Sequence, residues 1–165
     1  MATGLMPVNA PPARTTIVTP APRIYRGAGA IHHRGGDHDV PVPPSHKKAE
    51  TALRRYALTF PDAAEEFPWG ERVIKVRDKI FVFLRVSEGT LRVGMKLPTS
   101  FEMALTLPYT EPTGYGLGRA GWITAKFTPR QKPDVDLLKG WIDQSYRAVA
   151  PKKLVKTLGE PETLR

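Results

Sequence analysis

Two sets of side chains in this sequence have the types and spacing to do chemistry, one acidic and one basic. The acids are Asp62, Glu65, Glu66 and Glu71. Carboxylates gathered in one short stretch can hold a divalent cation through oxygen ligands, or divide into a general acid and a general base. Spacing alone does not make them converge, and the plainer reading is a solvated acidic loop that balances nearby cations. The bases are denser. From Arg72 to Leu97 stand Arg72, Lys75, Arg77, Lys79, Arg85, Arg92 and Lys96, against only Asp78 and Glu88. Cations at that density on one surface suit a phosphate backbone.

Other chemistries are thinly supplied. There is no cysteine, which excludes disulfides, thiolate metal sites and cysteine nucleophiles. The histidines are His32, His33, His38 and His46, so residues 47–165 have none. His32 and His33 with Asp37 and His38 have metal-ligand types. A site on unstructured chain loses entropy on ordering and lacks a supporting shell, so no metal and no cofactor are expected. Without histidine or cysteine, a folded domain has few routes to acid–base or nucleophilic catalysis near neutral pH. No catalytic residue is expected, and the chain reads as a binding protein rather than an enzyme. The formal net charge of +9 favours polyanionic partners. No apolar run approaches the roughly 18 residues of a membrane helix, and no secretory core is apparent. A soluble cytoplasmic protein with no membrane partner is the expectation.

The elements that must position these residues follow from periodicity. Residues 1–45 hold nearly half of the 17 prolines and a single aromatic, Tyr25, with Arg14, Arg23, Arg26 and Arg34. Such composition cannot bury enough apolar surface to offset ordering, so a disordered basic tail is expected there and one domain over residues 46–160. Ser45 caps a helix to about Leu58 with Ala49, Ala52, Leu53, Tyr56 and Ala57 on its buried stripe. Two Phe-Pro pairs hold residues 59–70 extended, with Trp69 packing. Residues 72–97 read as a three-stranded antiparallel meander, turning at Arg77-Asp78-Lys79 and Ser87-Glu88-Gly89. Thr99-Ser-Phe-Glu102 reads as a capping box opening a helix to Leu107. A fourth strand runs from Trp122 to Thr128, a long helix from Asp134 to Val149, and an amphipathic segment from Lys152 to Leu158. The fold class is α+β: an antiparallel sheet with helices on one face.

Strand alternation sorts the side chains. Ile74, Val76, Ile80, Val82, Leu84, Val86, Leu91, Val93, Met95 and Leu97 fall on an aliphatic face. Lys75, Arg77, Arg85, Arg92 and Lys96 fall on the other, joined by Lys126 from the fourth strand. Phe81, Phe83 and Trp122 fall among these cations, where they could stack on unpaired bases. Gly114-Tyr-Gly-Leu-Gly118 has the look of a nucleotide loop. No strand feeds it and no helix opens after it, so a tight turn is expected instead.

At Phe67-Pro68-Trp69-Gly70, Val73-Ile74-Lys75-Val76, Lys79-Ile80-Phe81, Leu91-Arg92-Val93, Gly114-Tyr115, Trp122, Ser145-Tyr146 and Pro151-Lys152-Lys153, the chain resembles the MmcQ/YjbR family over about residues 48–158. The resemblance implies a CyaY-like (frataxin-like) α/β sandwich and double-stranded DNA binding. The glycines at 116, 118 and 121 depart from the family's bulkier polar residues. Frataxin-type iron binding goes with an acidic first helix, whereas this one carries Lys47, Lys48, Arg54 and Arg55, which repel a metal ion. The expected function is low-specificity duplex binding through Lys75, Arg77, Arg92, Lys96 and Lys126, with Lys152, Lys153 and Lys156 as a second contact. The alternative is a protein-interaction or small-ligand module without a nucleic-acid role, using the loops at Trp69–Gly70 and Gly114–Trp122 as the rim of an apolar concavity. A third reading, an enzyme, would need two of Asp62, Glu65 and Glu66 to converge in a cleft.

Overall fold

The computed structural model describes residues 40–159. The histidines at 32, 33 and 38, and all but the end of the expected tail, lie outside the described residues. The first element is helix α1, Pro44–Ala57. Pro44 suits the first helical position, where its missing N–H is not needed. No side chain caps the helix, and Ser45 lies inside the first turn rather than before it. His46, expected at the boundary of the tail, is wholly buried on the inner face with Ala49, Leu53 and Ala57. Its Nδ1 lies 2.9 Å from the Gly89 carbonyl oxygen and its Nε2 2.8 Å from that of Gln131. The imidazole thereby ties the first turn of α1 to two distant loops.

Six strands form one antiparallel sheet: β1 (Ala63–Glu66), β2 (Arg72–Val76), β3 (Lys79–Ser87), β4 (Thr90–Lys96), β5 (Thr110–Pro112) and β6 (Trp122–Phe127). Their order is β1-β2-β3-β4-β6-β5. The central meander and its neighbour β6 form as the alternation predicts. β1 and β5 widen both edges, and both are short runs without the branched or aromatic alternation that marks a strand. Glu88 and Gly89 join β3 to β4 with φ values of 50° and 69°. Two left-handed residues in a two-residue connection match the twist of the flanking strands.

The remaining helices are α2 (Phe101–Leu105), α3 (Val135–Val149) and the short α4 (Lys152–Val155). Asp134 caps α3 by accepting from the Leu137 N–H at 3.1 Å. The capping box expected at α2 does not form. Gln144 of α3 replaces it: its Oε1 accepts from Ser100 N–H at 3.0 Å, and its Nε2 donates to Ser100 Oγ at 2.9 Å. Helices α1 and α3 lie together across β3 and β4. The core between them joins Leu53, Leu138 and Ile142 to Ile74, Leu84, Val93 and Ile123. At one end Tyr146 stacks on Phe60 with centroids 4.6 Å apart and meets Phe81 edge-on at 5.2 Å.

A register shift between Ile74 and Lys75 resets the faces of β3. Ile74 is opposite Val82, but Lys75 is opposite Ile80, so Phe81 is the extra residue of a β-bulge. Phe81 therefore joins Val82 in the core, fully buried. Ile80 takes the place beside Lys75 on the other face. The β3–β4 ladder begins at Val82 opposite Met95, one step short of Phe81 and Lys96. Ser145 of α3 fills that gap. Its hydroxyl donates to the Phe81 carbonyl at 2.6 Å and accepts from the Lys96 N–H at 2.8 Å. A buried helix serine thus supplies the two backbone partners that the bulge removes.

Candidate nucleic-acid interface

Both long helices pack on one face of the sheet, and a row of strand cations lies on the other. The register defines it. Arg85 of β3 is opposite Arg92 of β4, which is opposite Lys126 of β6. Adjacent strands are about 4.8 Å apart, so three cationic side chains rise side by side from neighbouring strands. Like charges placed directly opposite one another oppose pairing, and an anion laid across them would relieve that repulsion. The next row runs Val73, Phe83, Gly94, Thr124 and Glu111, and beyond it Lys96 sits opposite Trp122.

The carboxylates decide which cations are available. Lys75 holds Glu66 at 2.7 Å, Arg77 holds Asp62 at 3.2 Å, and Arg85 pairs with Glu71. Arg92, Lys96 and Lys126 have no ion pair among the described residues. Of the cations expected on the sheet face, Arg77 is placed elsewhere, and the expected second contact is on α4. Arg77 stands in the β2–β3 turn at a φ of 55°, away from the row at Arg85. Lys152 and Lys153 are exposed on α4, whose Leu154 and Val155 pack against the core from the helix side. They belong to the helix side of the core and are not part of the row on the sheet.

Glu65 and Glu66 of the acidic stretch are in strand β1, Asp62 and Glu71 are in the connections on either side, and each carboxylate meets a cation. Glu65 and Glu66 are successive residues of β1, so they point to opposite faces. Glu66 pairs with Lys75 on the open face, whereas Glu65 bonds Arg54 of α1 at 2.7 and 2.6 Å on the helix face. Arg72, opposite the core residue Leu84, reaches Glu50 on the same side. Its Nε lies 2.7 Å from Glu65 Oε1 but is not aimed along a hydrogen bond. The hydrogen bond from Arg54, reinforced by the charges of Arg54 and Arg72, holds the Glu65 carboxyl below the usual carboxylate range despite partial burial. Among the described residues no group of three acidic or histidine side chains is placed to hold a metal ion.

Of the three aromatics expected to stack on bases, Phe81 is in the core for the reason given above. Trp122 is buried, 8% exposed, and meets the Phe83 ring edge-on at 5.5 Å. Phe83 is half-buried and lies over Gly94, where a Cβ would come within 3.2 Å of it. The open aromatics are Tyr115, 96% exposed in the loop between β5 and β6, and two residues between β1 and β2. Trp69, expected to pack, is 59% exposed, and Phe67 is 56% exposed with the Arg72 guanidinium over its ring at 5.4 Å. Proline at 68 and glycine at 70 around an aromatic were the sequence signal for a projecting residue. Trp69 borders a notch of about 400 Å³ whose charged walls are Glu50, Glu71, Arg72 and Arg85. The loop at Gly118–Gly121 borders a separate concavity beside Leu97 and Phe101. The two loops do not form the single apolar rim expected of them.

An open antiparallel sheet with two long helices on one face and cations on the other places the chain in a recognisable class of small α+β domains. The YjbR family model matches residues 58–148, and the chain belongs to that family. Among solved structures it is similar to the Deinococcus radiodurans protein DR2400, described as a DUF419 domain, at 26% identity and a TM-score of 0.51. The likeness covers 68% of this chain and 89% of that one. No curated protein matches the chain. No helix among the described residues is long and apolar enough to cross a membrane.

Proposed function

We propose that this protein binds double-stranded DNA with low sequence selectivity, through the open face of its sheet. The observation that carries the reading is the row Arg85, Arg92 and Lys126, with Lys96 nearby, in which three of the four have no described carboxylate partner. Cations without internal partners release counterions when they meet phosphates, which gives affinity without base choice. The plainer account is that these residues solvate an exposed sheet and discourage edge or face association. The two accounts differ in one measurable respect. Fluorescence anisotropy of a labelled duplex, titrated with the full chain at several salt concentrations, is expected to show binding at low salt that weakens steeply as salt rises. No binding at low salt refutes the proposal.

A further inference from the structure

We propose that Trp69 is a stacking platform for an unpaired base, so that the preferred nucleic acid carries a single-stranded end or junction beside a duplex. This rests on the duplex-binding reading and adds a second contact to it. Four observations converge on the loop before β2.

The first is exposure. Trp69 is 59% exposed, while Trp122 and Trp141 are 8% and 3% exposed. Among the described residues its ring has no aromatic or hydrogen-bonded partner. The second is how the ring is held out. Trp69 and Gly70 take left-handed φ values of 56° and 77°, and the turn is closed by bonds from Gly70 N–H to Phe67 O and from Glu71 N–H to Pro68 O. A non-glycine residue kept in that region costs free energy that burial of its side chain does not offset here.

The third is the notch beside the ring. Its charged walls are two carboxylates, Glu50 and Glu71, and two guanidinium groups, Arg72 and Arg85. Their charges cancel, which disfavours a phosphate and suits a flat, neutral group that forms hydrogen bonds. Pairing of β2 with β3 stops at Arg72 opposite Leu84, so β3 continues beside the notch without a β2 partner. Alternate residues there turn backbone amide and carbonyl groups toward that side, as an antiparallel edge requires. The fourth is continuity with the cationic row. Arg85 lines the notch and begins the row that crosses to Lys126. A strand with phosphates on Arg92 and Lys126 would deliver its next base toward Trp69. Every base has a π-face, so such stacking is sequence-tolerant.

The test uses the full chain with a blunt duplex, the same duplex carrying a short single-stranded overhang, and the single strand alone, at one low salt concentration. The overhang duplex is expected to bind more tightly than the blunt one and to quench the red-shifted part of the tryptophan emission, which comes from the exposed Trp69, and this quenching is absent in Trp69→Ala. Trp69→Ala is expected to lower overhang affinity by about tenfold, the scale of one base–aromatic stack, leaving blunt-duplex affinity unchanged. Trp69→Phe restores most of the difference. Equal binding of blunt and overhang duplexes by the wild type overturns the proposal while leaving duplex binding intact. An equal loss on both probes in Trp69→Ala also overturns it, since the tryptophan would then serve general affinity or folding. If no DNA binds at all, both readings fail.

Discussion

The salt dependence of DNA binding can be worked out from which cations the protein has already neutralised. Arg92, Lys96 and Lys126 have no described ion pair, while Arg85 and Lys75 are engaged by Glu71 and Glu66. Three phosphate contacts predict a slope of log affinity against log salt of about −2.7, so that affinity falls about 40-fold between 50 and 200 mM salt. Arg92→Ala with Lys126→Ala removes two contacts and should flatten the slope to about −0.9. Glu71→Gln works in the opposite direction. It frees Arg85 to join the row and should steepen the slope to about −3.6. Lys152→Ala with Lys153→Ala, on the helix side, should leave the slope as it was. Anisotropy titrations of one duplex at four or more salt concentrations measure all of these, with urea unfolding to confirm that each variant is folded. The reasoning is refuted if the double variant at Arg92 and Lys126 keeps the wild-type slope. It is also refuted if the α4 variant loses as much as the sheet variant, because the binding surface would then not be the open face.

Further outcomes follow from the scaffold beneath that face. Ser145→Ala leaves the Phe81 carbonyl and the Lys96 amide without their shared partner, and each orphaned buried group costs about 1–3 kcal/mol. Urea unfolding should show a loss of about 2–4 kcal/mol, and a loss under about 0.5 kcal/mol would mean that the bulge finds other partners. Glu65 titrates below its ordinary range when folded, so its contribution is complete above the unfolded glutamate value of about 4.3 and is lost as pH falls through the folded value. Thermal unfolding from pH 7 down to pH 3 should therefore show a weaker acid dependence in Glu65→Gln than in the wild type, with lower stability at pH 7. Parallel acid profiles would place the acid sensitivity elsewhere.

The α+β class, the central meander, β6 and the long helix were legible in the residues because each depends on a short-range period. Leu91, Val93 and Met95 alternate with Thr90, Arg92, Gly94 and Lys96, and alternation in an extended chain assigns faces without reference to anything distant. β1 and β5 were not legible. Ala63-Ala-Glu-Glu66 has no strand propensity of its own and is a strand because β2 offers it a ladder. The cap of α2 shows the same limit. Glu102 stood at the right spacing, yet Gln144 from α3 took the amides, since a side chain held rigid by a long helix needs little further ordering.

For the candidate site, the sequence by itself determined that one face of the sheet would be cationic and that Arg92, Lys96 and Lys126 would stand on it. Tertiary structure decided which of those charges remain available and which aromatics are exposed. Glu66 and Glu71 neutralise Lys75 and Arg85, and the bulge opposite Lys75 turns Phe81 inward onto Tyr146. The physical reason is range. Facing is a property of the local backbone, carried by two successive residues. Neutralisation and register depend on groups that meet only when the chain is folded, and there a single extra residue in β3 is enough to exchange the places of an isoleucine and a phenylalanine.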